Sequence, residues 1–352
     1  AQGSGERRDC RDKAGASSMK HEDKTRSPVL GLDVGTSRIV VARRATEGYQ
    51  YESQLNAFVS VPFSKMTSTA LEREQVPFVT RGGEIIVHGN ESQRFADLLS
   101  VETRRPMTEG VLNPGENDGM VVIRSILESL AGASRQGADR ICFSVPAPPL
   151  GAEENLTYHE ASLSQMLTEM GFQARSINEG LAVIFSELED TNFTGIGVSC
   201  GGGLCNVSMA YLSMPVLSFS VAKAGDFIDS SAAAVVGELA NRIRITKETS
   251  FHLNGFVSDK MHKALTVYYD DVIQTLVTAL RDALNASRRP KFARPVPVAV
   301  SGGTAAPAGF RERFEKALQE SELPVEISEV RMASDPLHAT ARGALIAGMA
   351  EM

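Results

Sequence analysis

Two glycine turns carry the residues whose types and spacing could do chemistry. Residues 29–44 read VLGLDVGTSRIVVARR and residues 195–210 read GIGVSCGGGLCNVSMA. Each is an apolar strand, a glycine-bearing turn and a second strand. Glycine packs nothing and costs conformational entropy, so three in a row at 201–203 need a reason. A hairpin turn without β-carbons lets several backbone N–H groups converge, and such a concavity binds anions, phosphate above all. In the first turn the amides of Gly35, Thr36 and Ser37 and two hydroxyls are available as donors. In the second, the amides of Gly201, Gly202, Gly203, Leu204 and Cys205 would serve. Facing each other across a cleft, the two turns would grip a polyphosphate from both sides. Two ordinary β-hairpins are the plainer reading of the same residues.

A polyphosphate needs a hard cation. Mg²⁺ takes oxygen ligands and keeps several waters, so one or two carboxylates near the phosphates suffice. Asp33, at the end of its strand, is the candidate, acting through water; the alternative is a plain turn aspartate. Glu179 follows a strand and opens a helix, the edge at which α/β sheets place ligands. There it could orient a water for attack on a terminal phosphate. It could equally be a first-turn glutamate that suits the helix dipole. Gly302 and Gly303 end the strand VPVAVS, where missing side chains could let an adenine ring lie against backbone or could simply make a turn. The six histidines are scattered, and Cys200 and Cys205 have no partner pair that would complete a zinc site.

The elements that must position these residues alternate between strand and helix in both halves, which makes the class α/β. Apolar residues at helical spacing run through MVVIRSILESLAGA, LTYHEASLSQMLTEM and YYDDVIQTLVTALRDALNA. AGDFIDSSAAAVVGELANRI reads as one further helix, with Asp226 at its start. NEGLAVIFSEL reads as a helix capped by Asn178. Residues 63–105 are polar and mixed, with one hairpin around EIIVHG and a short helix near SQRFADLLS. The two turn segments superpose, Asp33 on Ser199 and Gly35 on Gly201, and each begins a half-chain of similar length and element order. Two related lobes, each contributing one glycine hairpin, follow.

The chain has 352 residues and a net charge of −7, which argues against nucleic acid and anionic membrane as partners. No window approaches the ~20 apolar residues of a membrane span. Residues 1–28 lack an apolar core and read as a disordered leader with neither signal-peptide nor amphipathic-anchor character; Met19 is a possible internal start. Cysteine usage points to a reducing, cytoplasmic compartment.

Taken in order, these segments resemble the actin-like ATPase superfamily, and most of all the bacterial actins of the MreB and magnetosome-filament type. LGLDVGTSR looks like the first phosphate motif and RPMTEGVL, Arg105–Leu112, is similar to a stretch of MreB proteins. GVSCGGGLCNVSM occupies the second phosphate motif, KAGDFIDSSAA is similar to an AGD-containing segment, VAVSGGTAAPAGF resembles the adenosine motif, and DPLHATARGALIAG resembles the closing helix. The resemblance implies a two-lobed fold of duplicated ribonuclease H-like domains: lobe I at 29–177 with a small insertion at about 63–105, lobe II at 178–333, and a helix at 334–352 returning to lobe I.

It also implies Mg²⁺ with ATP or ADP in the cleft. Asp33 would organise the metal's waters and Glu179 would polarise the attacking water. Gly201, Gly202 and Gly203 would wrap the phosphates. Gly225 and Asp226 would lie near the ribose, Lys247 and Glu248 would reach the nucleoside, and Gly302, Gly303 and Thr304 would lie near the adenine.

Two departures stand out. The family's second motif opens with aspartate, and here the residue is Ser199, which can hydrogen-bond a metal-bound water but brings no charge. The insertion at about 245–266 is too short for the usual fourth subdomain. The resemblance implies a filament-forming protein whose assembly is gated by slow ATP hydrolysis. The departures suggest instead a non-polymerising nucleotide switch or adaptor with weakened hydrolysis. A small-molecule kinase is a third possibility on the same scaffold.

Overall fold

The computed structural model describes residues 28–134, 139–150, 156–256, 259–287, 292 and 294–350. The predicted leader therefore lies, up to residue 27, outside the described residues. The first lobe opens with a meander of three antiparallel strands, β1 (Val29–Val34), β2 (Arg38–Arg44) and β3 (Tyr49–Leu55). An insertion follows: β4 (Phe58–Pro62), α1 (Lys65–Arg73), β5 (Phe78–Arg81), β6 (Glu84–His88) and α2 (Asn90–Leu99). Its strands form a small sheet in the order β4-β6-β5. A two-residue ladder, β7 (Met107–Thr108) with β8 (Val111–Leu112), leads into α3 (Gly119–Ala131). Then come β9 (Arg140–Val145), α4 (Thr157–Glu169), β10 (Gln173–Asn178) and α5 (Glu179–Glu187).

The second lobe repeats the plan. A meander of β11 (Gly195–Cys200), β12 (Cys205–Tyr211) and β13 (Met214–Val221) leads to α6 (Gly225–Val236), α7 (Ala240–Thr249) and α8 (Lys260–Ala286). β14 (Val296–Ser301), α9 (Phe310–Glu320) and β15 (Ile327–Met332) complete it, and α10 (Ala339–Ala350) packs back on the first sheet. The main sheets are ordered β10-β9-β1-β2-β3 and β13-β12-β11-β14-β15. In each, the first strand pairs antiparallel with the second and parallel with the fourth, so the two sheets are topological copies. The α/β class and the two-lobed duplication expected from the sequence are present.

Each lobe has its own apolar core. One gathers Leu32, Ile39, Ile123, Phe143 and Leu163 around the first sheet; the other gathers Val198, Val207, Tyr269, Ile273 and Phe310 around the second. Helices α5 and α10 pack on each other and are inserted between the sheets. A β-carbon on Gly343 of α10 would run into the carbonyl of Ala182 on α5, so glycine is what lets these backbones approach.

Helix α1 lies in a stretch whose sequence reads only as polar and mixed, and a second element also differs from the expectation. The apolar stretch read as a single helix from Gly225 onward is two, broken at Gly237, which adopts a left-handed φ of 82° and caps α6. The apolar spacing runs through the break, so periodicity alone could not reveal it, although a glycine at a helix C-terminus is the usual stop. Residues 250–259 separate α7 from α8, and no strand occurs among the described ones. The fourth subdomain is thus reduced to helices.

Candidate functional site

The two glycine turns are matched in register. Asp33 lies opposite Val40 and Ser199 opposite Asn206, so the strands close at equivalent positions. The Gly35 amide donates to the Arg38 carbonyl at 2.9 Å, and the Gly201 amide donates to the Leu204 carbonyl at 2.9 Å. Flanking residues occupy the turns' carbonyls. Asn56 donates its side-chain amide to the Gly35 carbonyl at 2.9 Å and its backbone N–H to the Ser37 carbonyl at 3.0 Å. Thr304 donates its hydroxyl to the Gly201 carbonyl at 2.7 Å, and the Asp226 amide donates to the Gly202 carbonyl at 2.8 Å. The turns meet at their tips. A β-carbon on Gly202 would strike Ser37 Oγ, and one on Gly203 would stand 2.5 Å from Thr36 Oγ1.

Behind the turns lie two carboxylates. Glu179 is the first residue of α5, whose N-terminus is capped by Asn178 Oδ1 accepting from the Gly180 amide at 3.0 Å. Ser199 donates its hydroxyl to Glu179 Oε2 at 3.1 Å, and Asn206 donates its amide to the same oxygen at 2.9 Å. Asn206 Oδ1 in turn accepts from the Ala147 amide of the first lobe at 2.8 Å. Asp33 Oδ1 accepts from the Ser144 hydroxyl at 2.6 Å. Burial pushes Asp33 up to about 6, with the Ser144 hydrogen bond opposing. Burial, and then the charge of Asp33, push Glu179 up to about 8, against the pull of Ser199 and Asn206.

Two carboxylates held this way are what a divalent cation would relieve. Among the described residues no group of three or more His, Cys, Asp or Glu side chains forms a metal cage. The oxygen donors therefore fit a hydrated Mg²⁺ held mainly through its waters, not an ion stripped of them.

The residues singled out by sequence line one cavity of ≈ 510 Å³, except Cys205, which is buried in β12 outside the lining. Asp33, Gly35, Thr36, Ser37, Glu179, Ser199, Gly201, Gly202, Gly203 and Leu204 line it where the two glycine turns meet. Gly225, Asp226, Lys247, Glu248, Gly302, Gly303 and Thr304 line the rest. Lys247 is buried, donates to the Gly225 carbonyl at 3.0 Å and pairs with Asp229 at 2.7 Å. Its charge is thereby committed within the protein. Glu248 lies 3.7 Å from Arg38 of the first lobe, and the Asp226 carboxylate is taken by Arg105 at 2.7 and 2.9 Å. Gly302 has a φ of 96° and sits against the Cys200 backbone, a place only glycine fills. Phe251, Pro307, Ala308 and Leu337 supply an apolar wall.

Sequence reasoning missed Asn56, Arg105, Ser144 and Asn206. Asn206 had a signal: a turn closing at Gly201 and Leu204 places it directly across from Ser199. Arg105 opens the stretch RPMTEGVL, which marked the segment but not the residue's contact with Asp226, and Asn56 and Ser144 had no signal.

Comparison with solved structures gives the fold a name. The "MamK double helical filament" structure is 20% identical, with a TM-score of 0.67 over 92% of this chain and 98% of that one. MreB5 of Spiroplasma citri bound to AMPPNP is 15% identical, with a TM-score of 0.66 over 93% of this chain and 97% of that one. The ethanolamine utilization protein EutJ from Carboxydothermus hydrogenoformans is 16% identical, with a TM-score of 0.54 over 90% and 89%. These likenesses show an actin-like ATPase fold. No curated protein sequence matches the chain. The sequence profile described as Volactin matches residues 29–348, and the chain belongs to the volactin family.

Proposed function

We propose that this protein binds ATP and ADP with Mg²⁺ between its lobes, hydrolyses ATP slowly, and assembles into filaments under control of the bound nucleotide. One observation carries the reading: a glycine turn from each sheet closes tip to tip in front of two half-buried carboxylates, Asp33 and Glu179. Backbone amides from both turns would hold the phosphates. Asp33 would hold the metal's waters, and the cation would supply positive charge against the phosphates. Glu179 has Oε2 fixed by Ser199 and Asn206, which leaves Oε1 to orient a water. The apolar wall at Phe251 and Leu337 suits a purine ring.

Likeness to a filament structure and to a nucleotide-bound MreB5 supports assembly and nucleotide binding in the same sense. Head-to-tail contacts that do not close on themselves would build the filament. No helix among the described residues is long and apolar enough to cross a membrane. Cys142, Cys200 and Cys205 are buried and free, in keeping with a reducing cytoplasm. Titration with ATP and Mg²⁺, followed by pelleting and electron microscopy across a wide concentration range, tests the reading. Monomers at every concentration would remove filament formation, and absence of binding would remove the whole of it.

Ser199 favours a second reading, a nucleotide switch that does not turn over. The hydroxyl is spent on Glu179 and brings no charge toward a cation. Phosphate release that vanishes in Glu179→Ala would exclude this version.

A further inference from the structure

Arg105 and Asp226 belong to different lobes. Arg105 lies two residues before the β7–β8 ladder, whose Met107 and Leu112 sit in the first core. Asp226 is in the first turn of α6, whose Ile228 sits in the second. The Arg105 guanidinium Nη1 stands 2.7 and 2.9 Å from the two Asp226 oxygens and 3.4 Å from Ser37 Oγ, with only 14% of the side chain exposed. Arg105 is largely out of water while the Asp226 side chain is 35% exposed, so the two-oxygen contact, anchored on its buried side, resists separation even though water screens the other.

Both partners are fastened to the phosphate turns. The Asp226 amide donates to the Gly202 carbonyl, so the start of α6 moves with the second turn. The ladder that Arg105 leads into is tied to the first turn by the Gly110 amide, which donates to Thr36 Oγ1 at 3.1 Å. It also leans on the second turn, since a β-carbon on Gly110 would run into Leu204. Separating the lobes at this end therefore requires breaking the ion pair and lifting Gly110 off Leu204.

The partners are unequally placed. Asp226 lines the cavity, whereas Arg105 stands behind it, outside the lining. Unpaired, that carboxylate would present negative charge beside the phosphate turns. The nearby charges are otherwise engaged: Asp229 pairs with Lys247, and Arg244 lies 3.4 Å from Asp229.

We propose that Arg105 and Asp226 form a clasp between the lobes that holds the phosphate end of the cleft shut and sets how fast a nucleoside polyphosphate leaves. The proposal rests on the nucleotide-binding reading for its ligand, but the clasp itself is made of protein atoms alone and can be measured without nucleotide.

The test uses the full chain with Arg105→Gln, Asp226→Asn, both together, and the exchanged pair Arg105→Asp with Asp226→Arg. Release of a fluorescent ATP analogue with Mg²⁺ is followed by stopped flow, and hydrogen exchange at the Gly110 and Leu112 amides is followed without nucleotide. The expected result is release about tenfold faster in Arg105→Gln and in the neutral pair, partial recovery in the exchanged pair, and faster exchange at both amides. Arg105→Gln is the informative single variant because Arg105 does not line the cavity. If a single variant does not fold, the neutral pair, which strands no buried charge, answers in its place. Release rates within about twofold of wild type, or unchanged amide exchange, would overturn the clasp. If wild type binds no nucleotide, the functional reading falls alone: exchange that rises in the variants still upholds the clasp, and exchange that does not rise overturns it.

Discussion

Ser199 donates its hydroxyl to Oε2 of Glu179 at 3.1 Å, across from Asn206 in the same ladder. The position that could have carried an acid instead supplies a hydrogen-bond donor to one. Ser199→Asp should act in opposite directions in the two states. Without ligand it removes the donor and adds a third carboxylate beside Asp33 and Glu179, so stability should fall by about 1–3 kcal/mol. With Mg²⁺ and ATP the added charge should speed hydrolysis. Thermal melts with and without Mg-ATP, paired with phosphate release, check both. A flat or lower rate would mean that Ser199 does not limit turnover.

The raised carboxylates give the nucleotide-free protein a pH dependence of known sign. Glu179 is shifted from 4.5 up to about 8, so between those values the folded state binds more protons than the unfolded one. Its contribution to stability is complete below about 4.5 and is lost as pH rises toward about 8. Glu179→Gln should flatten this loss while leaving nucleotide binding in place, and should cut phosphate release by about 10²-fold. Buried His88 and His159, both held down to about 4, act the other way and cost stability as pH falls from 6.5. Asp33, raised to about 6, faces Glu179, so the difference between wild type and Glu179→Gln across pH 5–9 reads the glutamate together with its effect on Asp33, and parallel curves would show that Glu179 does not titrate in this range.

Gly203 has no room for a methyl group. Its β-carbon would stand 2.5 Å from Thr36 Oγ1 and would also meet the Gly110 amide. Gly203→Ala should therefore push the turns apart, cost about 1–3 kcal/mol and weaken ATP binding. Differential scanning calorimetry and a binding titration read the two effects. Wild-type affinity in this variant would show that the turns need not touch to hold a ligand.

Asn56 braces the first turn from a neighbouring strand end, through its side chain to Gly35 and its backbone to Ser37. Asn56→Ala keeps the backbone bond and loses the other. A cost of about 1 kcal/mol in stability is expected, together with a larger proportional loss of ATP affinity, because the turn's shape is what the ligand would read. Equal losses in the two measurements would make Asn56 a fold residue only.

The turns, Asp33 and Glu179 were legible in the sequence because each belongs to a short local pattern: strand, glycines, strand, or strand followed by a capped helix. The equal register of the two hairpins explains why the echo between residues 31–35 and 197–201 was readable without knowing the sheets. The partners were not legible. Ser144 reaches Asp33 only because β9 lies parallel beside β1, and Arg105 reaches Asp226 only because the lobes face each other. Such pairings depend on the order of strands and the approach of lobes, which no local pattern encodes. The break at Gly237 was missed for the opposite reason: a strong apolar period ran straight across it.

The helix α10 follows the second lobe in sequence, yet it packs on β1, β2 and β9 of the first, with Gly31 against the Ala341 carbonyl. During synthesis the first sheet is made early and must wait, with that face bare, until residues 339–350 emerge. Neither half of the duplication can mature alone. The first sheet is finished by a helix that follows the second in the chain, so the two sheets and the cleft between them are completed together.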